Sequence, residues 1–417
     1  MSRRDPFFRR DPGKLLSSVV MLFFFSAFLL LYCRDLAWQG LALAFAVPAM
    51  IWLGTNLLPH LFPSDRLLLS LTNFLCALGV LVLYDTNPAY AYHQATYYGV
   101  GLAAMVICIY AVRIIRTWTV PALLLMPVSL ALLVMPLLFG RETYGARNWV
   151  YLGGVSFQPS EAVKLSLLIV ISHFMSRRRM LPWLAFAGAS LLLLMLQSDL
   201  GTALLYYSVT LMLYYASSSS VVITLFGLLG GVGAAVFGYR RFAHVKRRVA
   251  VWLNPWADFD GSGYQIVQSL MAIASGGVFG VGLGLGSPQT IPVYHTDFIF
   301  AVICEQFGIV FGLCVLLMYA AILWRGVTIA MTARRSFHAL LAMGCTLMIG
   351  LQTFVIIGGV IKLIPLTGVT MPFVSYGGSS LVSSLCLIGL LQGVASLNED
   401  DLREDTRLAM LGEEDAR

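Results

Sequence analysis

Three sets of residues in this chain have chemistry to offer: a carboxylate that opens an apolar helix, a carboxylate–ammonium pair inside another, and a run of arginines and lysine between them. Asp297 follows His295 and Thr296 and precedes Phe298, Ile299 and Phe300, where a long apolar run begins. Low dielectric at a membrane lip lifts a carboxyl from its ordinary pKa near 3.9 toward the range of a general base. Capping the helix with Thr296 or Asp297 is the competing structural role. Glu305, eight residues on, should lie about 12 Å deeper along the helix axis and reads as a structural or tuning acid. His295 reads as a candidate proton carrier.

Charges inside apolar segments are costly and mark functional candidates by default. Glu161 and Lys164 lie three residues apart on one predicted helix face, so they can neutralise each other or line a polar pocket. Pro159 suits the first turn of that helix, with Gln158 or Ser160 able to satisfy its free amides. Asp199, at a turn between two apolar runs, is expected to cap the second. Arg147 stands beside Trp149 and could clamp a phosphate through paired N–H donors. The loop 239–294 opens with Arg240, Arg241, Lys246, Arg247 and Arg248, which either attract an anionic ligand or simply sit on a long, tightly held loop. Residues 358–380 contain Pro365, Gly368, Pro372, Gly377 and Gly378 and cannot form one regular helix. Irregular backbone at membrane depth must line a cavity or pack in protein, so Lys362, Thr370, Ser375, Ser379 and Ser380 read as a polar cavity wall.

The elements that must position these residues are membrane helices. Of 417 residues, 59% are hydrophobic and only 11% charged, whereas a water-facing globule carries about 25% charge. Continuous apolar runs exclude an alternating β-barrel. Twelve runs are long enough to read as spans: 15–33, 40–58, 67–84, 95–112, 119–138, 160–175, 181–197, 200–215, 220–238, 297–323, 337–360 and 379–396. Arg3, Arg4, Arg9, Arg10, Arg113, Arg116, Arg177–Arg179, Arg325, Arg334 and Arg335 then share one face, which the positive-inside rule makes cytoplasmic together with both termini. Eight of the 20 acids fall in the last 19 residues, so 397–417 reads as a disordered acidic tail. The net charge of +7 flanks spans and points to lipid headgroups, not nucleic acid. Seven scattered cysteines form no Cys-x-x-Cys pair and support neither a disulfide framework nor a metal site. The glycines at 276, 277, 280, 282, 284 and 286 lack the spacing and strand–turn–helix context of a phosphate cradle. Close backbone packing in a segment lying on or dipping into the membrane explains them better.

Eight motifs in order resemble one family, the SEDS proteins (shape, elongation, division and sporulation), which include FtsW, RodA and SpoVE. They are Gly145-Ala-Arg-Asn-Trp149, Gln158-Pro-Ser-Glu161, Ser198-Asp-Leu-Gly-Thr202, Leu253-Asn-Pro-Trp256, Gly263-Tyr-Gln-Ile-Val-Gln-Ser269, Ser275-Gly-Gly277, His295-Thr-Asp-Phe-Ile-Phe300 and Pro372-Phe-Val-Ser-Tyr-Gly-Gly-Ser-Ser380. The resemblance covers residues 65–396. It implies an all-α polytopic membrane protein with a ten-helix core (61–396) and a large extracellular loop (239–294). Residues 1–60 would be two additional N-terminal helices, giving about twelve in all. It further implies a peptidoglycan glycosyltransferase of the bacterial cytoplasmic membrane, which polymerises lipid II into glycan strands at the outer face during division, elongation or sporulation. Its working partner would be a class B penicillin-binding protein.

The same resemblance places the essential acid at Asp297. The motif positions and the polar residues read above together give expected substrate-binding roles for Arg147, Gln158, Ser160, Glu161, Lys164, Arg248, Gln265, Gln268, Lys362, Ser375, Ser379 and Ser380, with Asp199, His295 and Glu305 in support. Four departures stand out. Residues 1–60 are extra, Val293 replaces the usual acid before His295, Glu305-Gln306 replaces a Glu-Glu pair, and Gln197-Ser198-Asp199 replaces Gln-Pro-Asp. The loss of a carboxylate at 293 leaves a divalent cation (Mg or Mn) as an open question, with no metal ligand assigned. The expected reaction has Asp297 take the proton of a sugar hydroxyl while cations neutralise the leaving pyrophosphate. One displacement predicts inversion. A lipid II flippase or a non-catalytic scaffold are the rival classes, the first excluded by polymer formation in vitro and the second disfavoured by the polar cavity.

Overall fold

Uninterrupted apolar sequence folds here as helix after helix, because a helix satisfies its own backbone groups and a lipid-facing segment has no other donor or acceptor. The computed structural model describes residues 12–143, 145–152 and 155–415; the arginines at 3, 4, 9 and 10 lie outside it. The N-terminal part comprises α1 (Pro12–Asp35), α2 (Trp38–Trp52), a π-helical turn (Leu53–Leu57), α3 (Leu58–Leu61), α4 (Arg66–Thr86), α5 (Pro88–Ile114) and α6 (Thr119–Phe139). A small antiparallel sheet follows, β1 (Arg141–Thr143), β2 (Ala146–Leu152) and β3 (Val155–Phe157), in the order β1-β2-β3. Then come α7 (Pro159–Ser176), α8 (Met180–Leu196), α9 (Leu200–Ser218), α10 (Val221–Arg241), α11 (Ala243–Leu253), α12 (Tyr264–Gly276), α13 (Ile299–Thr332), α14 (Ser336–Val360) and α15 (Gly378–Asp415).

Among the described residues, nine helices are long and apolar enough to cross a membrane: α1, α2–α3, α4, α5, α6, α10, α13, α14 and α15. The runs at 160–175, 181–197 and 200–215 also fold as helices, α7, α8 and α9, but these are shorter or more polar. The chain is therefore an all-α polytopic membrane protein that also carries a small three-stranded sheet.

α4, α14 and α15 form the buried centre. α15 lies along α5, brought close by Gly389 and Gly393, one turn apart: a Cβ on either would press on Met105 or Val112. Small residues at such spacing let membrane helices approach and gain van der Waals contact. α10 is the opposite case. Gly238 is its one buried residue among those described, so nearly all of its surface faces lipid or a partner.

α13 is interrupted. Gly308 has φ 84 and ψ 168, and the helix resumes beyond it. The glycine segment after α12 repairs the break. Val281 and Gly282 donate to the carbonyls of Glu305 and Gln306 at 2.9 and 3.0 Å, and Ile309 donates to Gly277 at 3.0 Å. This is backbone packed on backbone, as the spacing of these glycines suggests. A Cβ at Gly280, itself at φ +84, would collide with the Gln306 carbonyl.

The acidic tail differs from expectation. Instead of being disordered, 397–415 continues α15 as helix. The reason is charge pairing. Asp400 meets Arg113 at 3.0 Å, Asp401 meets Arg334 at 3.6 Å, Asp405 also pairs with Arg334, and Glu399 pairs with Arg403 at 3.3 Å along the helix. The repulsion that would unwind a run of acids is thereby neutralised.

Candidate active site

Asp297 sits just ahead of α13, on a turn held from outside by the irregular segment 361–377. Ser375 donates its hydroxyl to the Thr296 carbonyl at 2.5 Å and accepts from the Met371 amide at 2.9 Å. Tyr376 N–H donates to the His295 carbonyl at 2.8 Å. Gln94 on α5, fully buried, locks the same segment by donating to the Ser375 carbonyl at 2.9 Å and accepting from Gly377 N–H at 3.3 Å. Val293 and Phe373 are held at φ 57 and 69, a conformation that bulky residues adopt only where the surroundings impose it.

Neither expected cap exists at α13. Its N-cap is Phe298, with no side-chain hydrogen bond, so the Asp297 carboxylate is free of that structural duty. It instead faces Gly368 and Arg248. A Cβ built on Gly368 (φ +77) would lie 3.6 Å from Asp297 Oδ2 and 3.3 Å from Arg248 Nη2. Arg248 Nη1 donates to the Thr367 carbonyl at 2.6 Å, which aims the guanidinium at this point. Of the five cations opening the loop, only Arg248 is turned inward; Arg240, Arg241, Lys246 and Arg247 are exposed.

Packing around Asp297 removes water and pushes its carboxyl up to about 6, with the Thr296 hydroxyl and the Arg248 charge pulling the other way. Burial likewise lowers Arg248 against the opposing pull of Asp297 and Asp199. A carboxylate near 6 is a better proton acceptor than one near 4, yet still ionised at neutral pH. His295 is lowered by burial, so it is neutral there. Its ring packs against Tyr90 and Tyr376 at 4.7 and 5.7 Å, and its Nδ1 is buried without a partner.

A second polar cluster lies beside this one within the helices. Lys164 and Glu161 pair at 2.6 Å. Glu161 also accepts from Ser383 at 2.5 Å, and Lys164 donates to Gln352 at 3.2 Å. Gln352 continues to the Thr370 carbonyl at 2.8 Å, and the Thr370 and Ser380 hydroxyls share a 2.6 Å bond. The network therefore ends on the wall that holds Asp297.

Asp199 caps α9 as expected, accepting from Thr202 N–H at 3.1 Å, and its other oxygen accepts from Asn148 and Gln158 at 3.0 and 3.2 Å. Gln158 thus serves Asp199. It does not cap α7 with its side chain, and the Ser160 hydroxyl is buried without a partner. The expectation that one of them satisfies the first amides of α7 is corrected: Pro159 at the first turn already removes one free N–H.

Other residues fall outside the Asp297 cluster. Arg147 is exposed on β2 and loosely paired with Glu142 at 3.7 Å. Gln265 and Gln268 are half-buried on α12, outside the cluster's hydrogen bonds. Lys362 has φ 62 and reaches the Leu253 carbonyl at 3.5 Å, tying 361–377 to α11. The Ser379 hydroxyl is buried without a partner. Glu305 accepts from Ser287 N–H at 3.0 Å and braces the glycine segment. Among the described residues, no three His, Cys, Asp or Glu side chains gather to hold a metal ion. With cationic Arg248 beside it, the Asp297 donor set does not fit a resident divalent cation.

This arrangement, an acid of raised pKa beside an inward arginine, lies wholly inside the stretch that matches known proteins. A family model described as "Cell cycle protein", covering FtsW, RodA and SpoVE, matches residues 65–400. The chain belongs to this FtsW/RodA/SpoVE family. It is 34% identical to the stage V sporulation protein E of Bacillus subtilis over 79% of this chain and 96% of that protein. It is 33% identical to the peptidoglycan glycosyltransferase RodA of Mycobacterium leprae over 82% and 79%. Among solved structures, a chain from a peptidoglycan synthase complex superposes with a TM-score of 0.66 at 29% identity, covering 81% of this chain and 98% of that one. The Thermus thermophilus rod shape determining protein RodA gives 0.61 at 29%, with the same coverage. α1 and α2 fall before the matched residues.

Gln94, Gln352, Ser383 and Thr367 hydrogen-bond to this cluster and its wall, and the motifs alone do not expose them. A signal exists for the two glutamines. A fully buried amide in an apolar run must find partners, and both find them on 370–377.

Proposed function

We propose that this member of the FtsW/RodA/SpoVE family is a peptidoglycan glycosyltransferase that polymerises lipid II into glycan strands. The observation that carries this reading is the Asp297 carboxylate, free of capping duty and pushed up to about 6 beside Arg248. Asp297 accepts the proton of the attacking sugar hydroxyl as the new glycosidic bond forms. The bond from the anomeric carbon to the lipid pyrophosphate breaks, and Arg248 neutralises the charge that leaves. Direct displacement inverts the anomeric centre. The Lys164 network and Ser375 hold the wall; Arg147 and the exposed basic residues of 240–247 draw the anionic substrate toward it.

On this reading the chain crosses the bacterial cytoplasmic membrane twelve times, with α7–α9 among the crossings. Both termini are cytoplasmic and Asp297 lies at the outer face. The positions of Arg113, Arg177–Arg179 and Arg334 at the opposite helix ends support that orientation. Reporter fusions at the two ends should both report inside. The exposed α10 and the α11–α12 surface suit a class B penicillin-binding protein. Purified protein given lipid II should make glycan polymer; protein that moves lipid II across vesicles without making polymer is a flippase.

A further inference from the structure

α1 carries an arginine that reaches a partner far along the chain. Arg34 binds its neighbour Asp35 through Nε and Nη2 at 2.8 and 3.0 Å, leaving Nη1 to donate to Asp85 Oδ1 at 2.9 Å. Asp85 is nearly buried at the C-terminal end of α4, with its side chain 5% exposed. Its other oxygen accepts from the Gln306 amide at 2.5 Å. An acid at 306 would have set two carboxylates against each other, whereas the amide supplies a donor. Gln306 lies two residues ahead of the α13 break at Gly308, and its carbonyl takes the Gly282 amide. The same glycine segment returns at Gly284 (φ +79), where an added Cβ would run into Arg34 Nη1 and lie 2.7 Å from Asp85 Oδ1. Arg34 therefore touches, directly or through Asp85, both partners in the repair of the α13 break.

That repair bears on Asp297. From Gln306 back to Ile299 is seven helical steps, about 10 Å of rigid helix, with Asp297 at its head. We propose that Arg34 is a positioning residue for the reaction. The helix α1, which lies outside the matched residues 65–400, tethers Asp85 and the glycine segment so that the first half of α13 presents Asp297 in register. Salt-bridged Asp85 is the pivot, and the 284–290 segment is the part that loosens without it. The kinetic half of this proposal rests on the polymerase reading; its structural half does not.

The test uses the full chain in lipid nanodiscs. Arg34→Gln, Arg34→Lys and Gly284→Ala are each compared with the unaltered protein by lipid II turnover and by amide hydrogen exchange. Arg34→Gln should lower kcat about tenfold with KM for lipid II nearly unchanged, as expected when a reacting group is misplaced by a fraction of an ångström. Exchange should quicken over 277–290 and 305–310 and stay unchanged in α14. Arg34→Lys, which still reaches Asp85, should recover most of the rate. Gly284→Ala, which disturbs the same contact from the other side, should reproduce the local exchange. Local exchange and kcat unchanged in Arg34→Gln, or exchange raised along the whole chain, overturns the proposal. Absence of polymer from the unaltered protein would overturn the polymerase reading instead, and the exchange data would still decide whether Arg34 holds the break.

Discussion

Two carboxylates in this protein each have a cation nearby, and they are held in opposite ways. Glu161 is held against buried Lys164 at 2.6 Å with Ser383 on the same oxygen, and the lysine donates a further hydrogen bond to Gln352. Asp297 faces Arg248 across Gly368, and no ion pair within 4.0 Å joins the two among the described residues. The guanidinium is anchored on the Thr367 carbonyl instead. A tightly satisfied pair fixes geometry and has nothing left to give. A carboxylate kept short of its cation, and desolvated to about 6, retains the capacity to take a proton. On the proposed reading, this difference separates a structural charge from a reacting one more sharply than burial or charge alone.

The largest effect should come from removing the reacting member. Asp297→Asn keeps size and polarity but cannot accept the proton, and loss of a positioned base typically costs about 10²–10⁴-fold in rate. The fold should hold, because no helix depends on this side chain for its cap. Lipid II polymerisation alongside thermal unfolding reads both. The structural member should behave the other way round. Lys164→Met leaves Glu161 as an uncompensated charge, and breaking a buried pair costs about 3–5 kcal/mol. A clearly lower unfolding temperature is expected, with Glu161→Gln/Lys164→Met milder than Lys164→Met alone. Equal losses in single and double variants would erase the contrast.

Smaller effects sharpen the comparison. Arg248→Gln should slow turnover about 10²-fold, the scale of losing one positioned charge donor, with substrate use becoming less sensitive to salt. Asp199→Asn preserves the cap but turns one acceptor into a donor facing Asn148 and Gln158. It should cost about 1–3 kcal/mol of stability and leave the rate within a few-fold of normal.

How much of this was legible in the sequence depends on the kind of residue. All twelve apolar runs fall on helices, because continuous hydrophobicity leaves the backbone no alternative. Asp297, Lys164, Glu161 and Ser375 were legible because charge or a broken helix inside apolar sequence is rare. Arg248 was named from the sequence, but nothing in the run itself distinguishes it from Arg247 or Lys246; the reason, that it alone turns inward from α11, belongs to the fold. Gln94 and Gln352 carry a weaker signal, a polar amide inside an apolar run, because an amide bears no charge and offers no spacing rule that names its partner. The tail is helical against the expectation from its composition, which records eight acids but not Arg113, in the last turn of α5, and Arg334, just beyond α13, both distant in the chain. Nor does spacing reveal that residue 306 faces Asp85, 221 positions away in the chain.

The central claim, that Asp297 works as a base with a raised pKa, is most directly tested by the pH dependence of lipid II polymerisation by purified, unaltered protein and by Arg248→Gln. A base is inactive when protonated, so the rate should fall as pH drops through about 6, the value to which burial brings the Asp297 carboxyl. Because the Arg248 charge pulls that value down, its removal should move the acid limb to higher pH. An acid limb near 4, or one that stays in place in Arg248→Gln, would contradict the account.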